Sequence, residues 1–498
     1  METKHRLRIL LFGAVVVLAA VFLAGCRPSK VEPGDGGASA DQSLTVATIG
    51  EYSITKGELT QRLSQSVRPQ RDGSAGPQEP VTAESVLQEM LLEKAMVLEG
   101  RALGCAEDES VSTSVDRYRQ RKLIQAFLSD YVQENVPVSQ AEIDGKIAAD
   151  PNLSPEQAKG QVLSAKWPPV YQALYAELVK KFEVKKVEKN FARAAQIHQR
   201  LLTQPVEPRG RTVFWITNHQ IQTELSRDER DIALATYTGG QFTLYDWFKT
   251  LNEIAPPGRS KDLGTPAGVE KLLNRGLEPT IVEAEAVARG YDKKEELVRD
   301  IQAREDMTIL GKIRTDKYKE VPAPTDEEIK AHFDQNPERF AIEPSLKIDQ
   351  IWCKDLPTAE QASKAVKGGA AFATVKAEQS LRAEEPEHNV YPSSEGAFWN
   401  ELWKGEPNDV VGPVKGFFDD RIKWRVVKVI EKTPAQMRPY SESLKNQVQS
   451  ALTTQRFKDH MERYGASLLA KYPHKVYAER IRDIDPLEVT ETDVKPQQ

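Results

Sequence analysis

The chain has 498 residues, enough for two to four domains at roughly 100 to 200 residues each, and 39% hydrophobic with 29% charged residues is the balance of a folded protein. Sixty-eight lysines and arginines against 74 aspartates and glutamates give a net charge of −6, with no basic field to hold a phosphate backbone, so nucleic acid is excluded as a partner. Three cysteines exclude a disulfide framework; without a CxxC, CxxCH or HExxH motif, no redox, haem or zinc site is expected, and no cofactor or metal is called for.

Lys4, Arg6 and Arg8 precede the charge-free run ILLFGAVVVLAAVFL (9–23), whose length suits the apolar region of a signal peptide better than a membrane span. The run ends in Leu23-Ala24-Gly25-Cys26, which resembles a bacterial lipobox. Residues 1–25 are therefore expected to be removed, and Cys26 to carry acyl chains that hold the protein at a membrane at about 0.8 kcal/mol per buried methylene. The lost leader carries net +2, which leaves −8 on the mature chain. Arg27, where an aspartate would signal retention in many Gram-negative sorting systems, points to the outer membrane. Residues 26–43 are rich in Pro, Gly, Ser and Asp and read as a flexible linker. Cys105 and Cys353 are then the remaining thiols, expected as separately buried small apolar side chains, with pairing left open.

The chain repeats itself. GEYSITKGEL (50–59) parallels GQFTLYDWF (240–248) at an offset of 190, each a β-type pair with a Thr able to cap a helix. LLEKAMVLEGRALG (91–104) parallels LEPTIVEAEAVARG (277–290), both closed by a Gly suited to a helix C-terminus, and Ile143 matches Ile329, both at an offset of 186. PEQAKGQVLSAK (155–166) then matches SESLKNQVQSAL (441–452) at 286, so the second copy holds about 100 extra residues, the size of one small domain whose ends should lie close together. Residues 174–200 read as one amphipathic helix with an apolar stripe of Leu174, Leu178, Phe182, Val187 and Phe191, either packed within the molecule or facing out as a groove for unfolded chains.

Residues 341–437 alternate differently. Residues 345–353 and 424–430 read as strands, as does 410–414; 358–367 and 371–375 as helices; and 383–396 as a loop, giving the order β-α-α-loop-β-β. GGAAFATVKAEQS (368–380), GEPNDVVGPV (405–414) and KWRVVKVIEK (423–432) resemble the parvulin-type (PpiC) peptidyl-prolyl isomerase domain, and the flanking helical segments resemble those of SurA and the extracytoplasmic foldase lipoproteins. The resemblance implies an α+β, mostly helical protein with two related SurA-like chaperone modules, the second interrupted by a parvulin-like domain. The expected boundaries are a leader at 1–25, the linker, a first module at 44–205, a second at 206–340 completed by a C-terminal helix at 438–480, the insert at 341–437, and a tail at 481–498.

Active parvulins carry a His on the first strand, a His on the last, a central Cys or Asp, and a Met/Phe proline pocket. The resemblance places these histidines at Gln350 and Arg425, and the pocket segment is shortened around Trp399; His388 reads as a solvated loop residue. No catalytic residue is therefore assigned. Gln350, Phe398, Trp399, Phe418 and Trp424 are the candidates for peptide binding. The implied function is an ATP-independent, envelope-located chaperone for unfolded polypeptides, held at a membrane through its lipid anchor. The alternatives are an active isomerase using other residues and a structural envelope lipoprotein with one dedicated partner.

Overall fold

In the computed structural model the described residues are 41–68, 81–203, 213–419 and 421–487; the leader, Cys26 and most of the linker lie outside them. The fold is α+β and mostly helical, as expected.

The first repeat opens with a hairpin, β1 (Thr45–Ile49) and β2 (Tyr52–Thr55). Thr55 ends the strand and caps α1 (Lys56–Ser66): its hydroxyl accepts from the Glu58 amide while the Glu58 carboxylate accepts from the Thr55 amide at 2.7 Å. Helix α2 (Ala83–Ala102) runs to Gly104, which takes φ +74°, a left-handed conformation that glycine adopts without steric cost. A 3-10 turn leads into α3 (Glu109–Asn135), followed by α4 (Gln140–Ala149), α5 (Pro155–Lys181), β3 (Lys185–Lys186) and α6 (Phe191–Leu202). The second repeat follows the same plan with β4 (Ala233–Tyr237), β5 (Gly240–Thr243), α7 (Leu244–Asn252) capped by Thr243 and Asp246, and α8 (Pro266–Ala288) ending at Gly290 with φ +78°. Then come α9 (Glu295–Lys319) and α10 (Asp326–Gln335). The insert holds β6 (Ser345–Cys353), α11 (Leu356–Lys367), α12 (Phe372–Gln379), β7 (His388–Val390), β8 (Val410–Phe418) and β9 (Arg421–Thr433), after which α13 (Glu442–Lys471) and β10 (His474–Val476) end the described fold.

Hairpin register corrects the first offset. Thr45 faces Thr55 as Ala233 faces Thr243, each with an irregularity at the next step, so the hairpins correspond at 188 and the matching caps are Thr55 and Thr243. Gly104 with Gly290, and the capping pairs Ser139–Glu142 with Thr325–Glu328, hold the offset of 186.

The closing elements are exchanged. Strand β3, which ends the first repeat, pairs with β4 of the second in the order β3-β4-β5; β10, which ends the second, pairs with β1 of the first in the order β10-β1-β2. Among the described residues the chain accordingly forms two units, 112–305 and 41–111 with 306–487, so the boundary expected at 205/206 falls inside one unit, and the C-terminal helix completes the N-terminal hairpin rather than the second module. Helices α3 and α9 each begin in one unit and end in the other, which carries each repeat's last elements to the other's hairpin. The helix expected over 174–200 is likewise broken: Glu183 at φ +50° ends it, and the next residues become β3 before α6 restarts at Phe191. Leu174, Leu178, Phe182 and Phe191 pack into the core of 112–305 around Phe127, Trp247 and Phe248, so these four are internal packing, whereas Val187 is half-buried and outside that core.

In the other unit, Val46, Ile49, Leu59 and Leu91 form a core joined by Ile313 and Leu468, and Ile329, Phe333, Phe340, Leu444 and Val448 form a second between α10 and α13. Each such side chain contributes about 1.5 to 3 kcal/mol by burial. The insert leaves and re-enters at one neck, where the Ile342 and Gln436 amides donate to each other's carbonyl oxygens at 2.8 and 3.1 Å. Among the described residues no helix is long and apolar enough to cross a membrane.

Candidate functional site

The insert is an antiparallel sheet in the order β7-β6-β9-β8. Strand periodicity gives it two faces. One carries Ile351, Cys353 and Val426 against Ala359, Ala362, Phe372 and Val375 of α11 and α12. The other carries Ile348, Val427 and Val429 against Val390, Trp399 and Leu402, and continues into Gln350, Trp352 and Arg425, with Trp352 opposite Arg425 in the ladder. The G-P-V element sits in β8, where the ladder register shifts; the Gly412 carbonyl accepts from Ser363 and Lys367 of α11 at 2.9 and 3.0 Å, fixing that helix on the sheet.

Gln350 and Arg425, the positions matched to the parvulin histidines, are 3% and 1% exposed and bonded to each other: Arg425 Nη1 donates to Gln350 Oε1 at 2.9 Å. Arg425 Nη2 donates to the carboxylate of Glu395, itself 6% exposed. Gln350 Nε2 and Trp352 Nε1 both donate to Glu385 Oε2, at 3.1 and 3.0 Å. The guanidinium stands 5.0 Å from the Trp352 ring centre and lies over Gly416, whose missing side chain leaves room for it. Lys376, also buried, donates to Asp349 and to the Glu385 carbonyl, which anchors the segment that brings Glu385 in.

This arrangement holds charge rather than moving protons. A glutamine amide does not titrate, and an arginine remains protonated. The two terminal nitrogens of the guanidinium are taken up by Glu395 and Gln350 and its plane stands near an aromatic ring, while Nε has no hydrogen-bond partner among the described residues. Surrounding rings pair with each other and with cations: Phe398 with Phe417 at 4.9 Å, Trp352 with Phe418 at 5.2 Å, and Arg382 over Phe418 at 4.3 Å. Arg68 lies over Phe417 and donates to the Asp419 carbonyl at 2.9 Å.

Of the sequence-derived candidates, Gln350, Phe398 and Phe418 come together here. Trp399 does not: it is buried in the adjoining core, stacked on Trp403 at 5.1 Å. Trp424 lies on the opposite face, packed against the α11–α12 core, because its ladder position is one residue out of phase with Arg425. Cys26 lies outside the described residues. The expected loop 383–396 holds β7 and a short helix, and His388 pairs with Ile348 as part of that edge strand. Glu385, Glu395 and Trp352 were not among the expected site residues; the two acids sit in a Pro- and Glu-rich stretch with no periodicity to mark them as buried. Cys105 and Cys353 are free, and burial pushes the Cys353 thiol up to about 11.

The profile of the PPIC-type PPIase domain matches residues 324–444, which span α10, the whole insert and the start of α13. Among solved structures, one of the SurA-like chaperones PEB4 and Cj1289 of Campylobacter jejuni is similar at 11% identity and TM-score 0.21, over 53% of this chain and 96% of that one. PrsA peptidylprolyl isomerase of Bacillus cereus is similar at 18% and 0.22, over 51% and 97%, and PrsA of Bacillus subtilis at 13% and 0.16, over 60% and 86%. TM-scores this low leave residue roles to be argued from this chain alone. No curated protein is significantly similar to it. The PPIC profile match lies on the four-stranded sheet and its two covering helices, so residues 324–444 carry a PPIC-type PPIase domain.

Proposed function

We propose that the protein is an ATP-independent chaperone of the cell envelope, anchored through Cys26, that holds unfolded polypeptides and carries a parvulin domain without isomerase activity. The observation that carries the second half of this reading is the buried Arg425–Gln350–Glu395 network at the positions matched to the family's histidines. Rotation about an X-Pro bond faces a barrier of about 20 kcal/mol, and its catalyst must favour the twisted amide in an open apolar slot. Here the polar groups are bonded to one another and the rings to each other and to cations. The helical segments support the chaperone half: the chain forms two mainly helical units, one of which also holds the domain.

The match to the PPIC-type profile favours a second reading, a working isomerase. Refolding of a substrate limited by one cis-proline, run beside light scattering of an aggregating substrate, separates the two. Suppressed scattering with an unchanged refolding rate is expected. Faster refolding that survives in Arg425→Met would reverse the assignment of inactivity, and unchanged scattering would remove the chaperone reading.

A further inference from the structure

Between α9 and α13, in the unit that holds the insert, lies an open cavity of about 280 Å³ lined by Tyr318, Asn446, Gln449, Ser450, Thr453 and Thr454. Its walls are neutral: four hydroxyls and two amides. The neighbouring cations of α13 are engaged elsewhere, Lys445 with Asp326 at 2.8 Å and Arg456 with Glu328 at 2.5 Å, both on α10. Among the described residues the Asn446 and Gln449 side-chain amides have no hydrogen-bond partner, and Tyr318 is half exposed above the cavity with its ring 5.4 Å from Phe457.

The other repeat fills the same place with side chains. The counterparts of Tyr318, Gln449 and Thr453 at the established offsets are Val132, Leu163 and Trp167. Trp167 is buried against Tyr131 and Tyr171, at ring distances of 6.5 and 5.3 Å, and Val132 and Leu163 pack on the same core. One repeat thus fills the position with an indole, and the other empties it and lines it with donors and acceptors. A charged ligand would require an opposite charge in the wall, and an apolar one would leave the amides without partners. A neutral group that both donates and accepts fits, and the commonest such group in an unfolded protein is the peptide unit.

Resting on the chaperone reading above, we propose that this cavity binds the main chain of an extended polypeptide segment, with Asn446 and Gln449 reading backbone amides and carbonyls irrespective of side chains. Recognition through the backbone is the form that lets one site accept many sequences.

The test uses the full chain and a fluorescein-labelled nine-residue Val/Thr-rich peptide, with the same peptide N-methylated at alternate backbone nitrogens, both followed by fluorescence anisotropy. Methylation removes donors while keeping the side chains and is expected to weaken binding about tenfold, the effect of one or two hydrogen bonds. Thr453→Trp, which installs the residue the other repeat carries, and the double variant Asn446→Leu/Gln449→Leu are each expected to weaken the parent peptide to a similar extent, and Lys458→Ala to change nothing. Equal binding of the two peptides, full binding by Thr453→Trp and the Leu pair, or no binding at all overturns the proposal. If wild type still suppresses aggregation in that case, only the site is wrong; if it does not, the chaperone reading falls as well.

Discussion

Glu395→Gln isolates the energetics of the buried network, because it removes one charge while keeping the shape of the side chain. Arg425 is 1% exposed and has, among the described residues, one carboxylate partner, Glu395; its other contacts include the neutral Gln350 amide and the Trp352 ring. Removing one partner of a desolvated pair costs about 3 to 5 kcal/mol because the remaining charge stays buried, whereas replacing both by groups of similar volume is often neutral. In a domain the size of the insert, that cost lowers the melting temperature by more than about 10 °C. The double variant Glu395→Gln/Arg425→Met is expected to regain most of it. Tryptophan fluorescence during heating of the full chain is a suitable assay, since Trp352, Trp399, Trp403 and Trp424 all lie in the insert. A shift below about 3 °C for Glu395→Gln, or a double variant no more stable than the single, would refute the reasoning, because Arg425 would then be hydrated in solution.

Gly416→Ala is expected to cost about 1 to 3 kcal/mol, since the new methyl would overlap the Arg425 guanidinium; fluorescence melts check it, and no loss would mean that Arg425 lies elsewhere. Gly290→Ala meets nothing within 4 Å, so its expected cost of about 1 kcal/mol is purely that of the left-handed backbone, readable by urea denaturation. His198 is held between the Trp247 and Phe248 rings with Nδ1 unpartnered among the described residues; burial, aided by the Arg259 charge, lowers it from 6.5 to about 4. The unfolded chain therefore takes up a proton that the folded one refuses, so stability is lost as pH falls from 6.5 towards 4, by up to about 3 kcal/mol. Melts at pH 7, 5 and 4 should show this loss in wild type and less of it in His198→Phe.

What was legible in the sequence is what local chemistry dictates. Gly104 and Gly290 mark helix ends because a left-handed residue is needed there, and Ser345–Cys353 opens in alternation because its first half buries only every second residue. The exchange of closing strands was hidden: β3 and β10 are two and three residues long, exposed throughout, and carry no apolar pattern that names a partner. Their pairing follows from the path of α3 and α9, a property of the whole chain. The core of the site was half legible. Gln350 and Arg425 could be placed by motif, but their partners Glu385 and Glu395 come from an aperiodic stretch where burial leaves no mark, and the phase of Trp424 depends on a register that only the ladder fixes.

The exchange of closing strands also imposes a timetable on biosynthesis. Ile49 pairs with His474, so the first hairpin to emerge from the ribosome waits for almost the last strand. At 5 to 20 residues per second that interval is on the order of half a minute, during which the N-terminal apolar faces stand uncovered. The unit 112–305, continuous in sequence, has its whole sheet in hand long before then, so it is the unit joining the N-terminal hairpin to β10 that matures last.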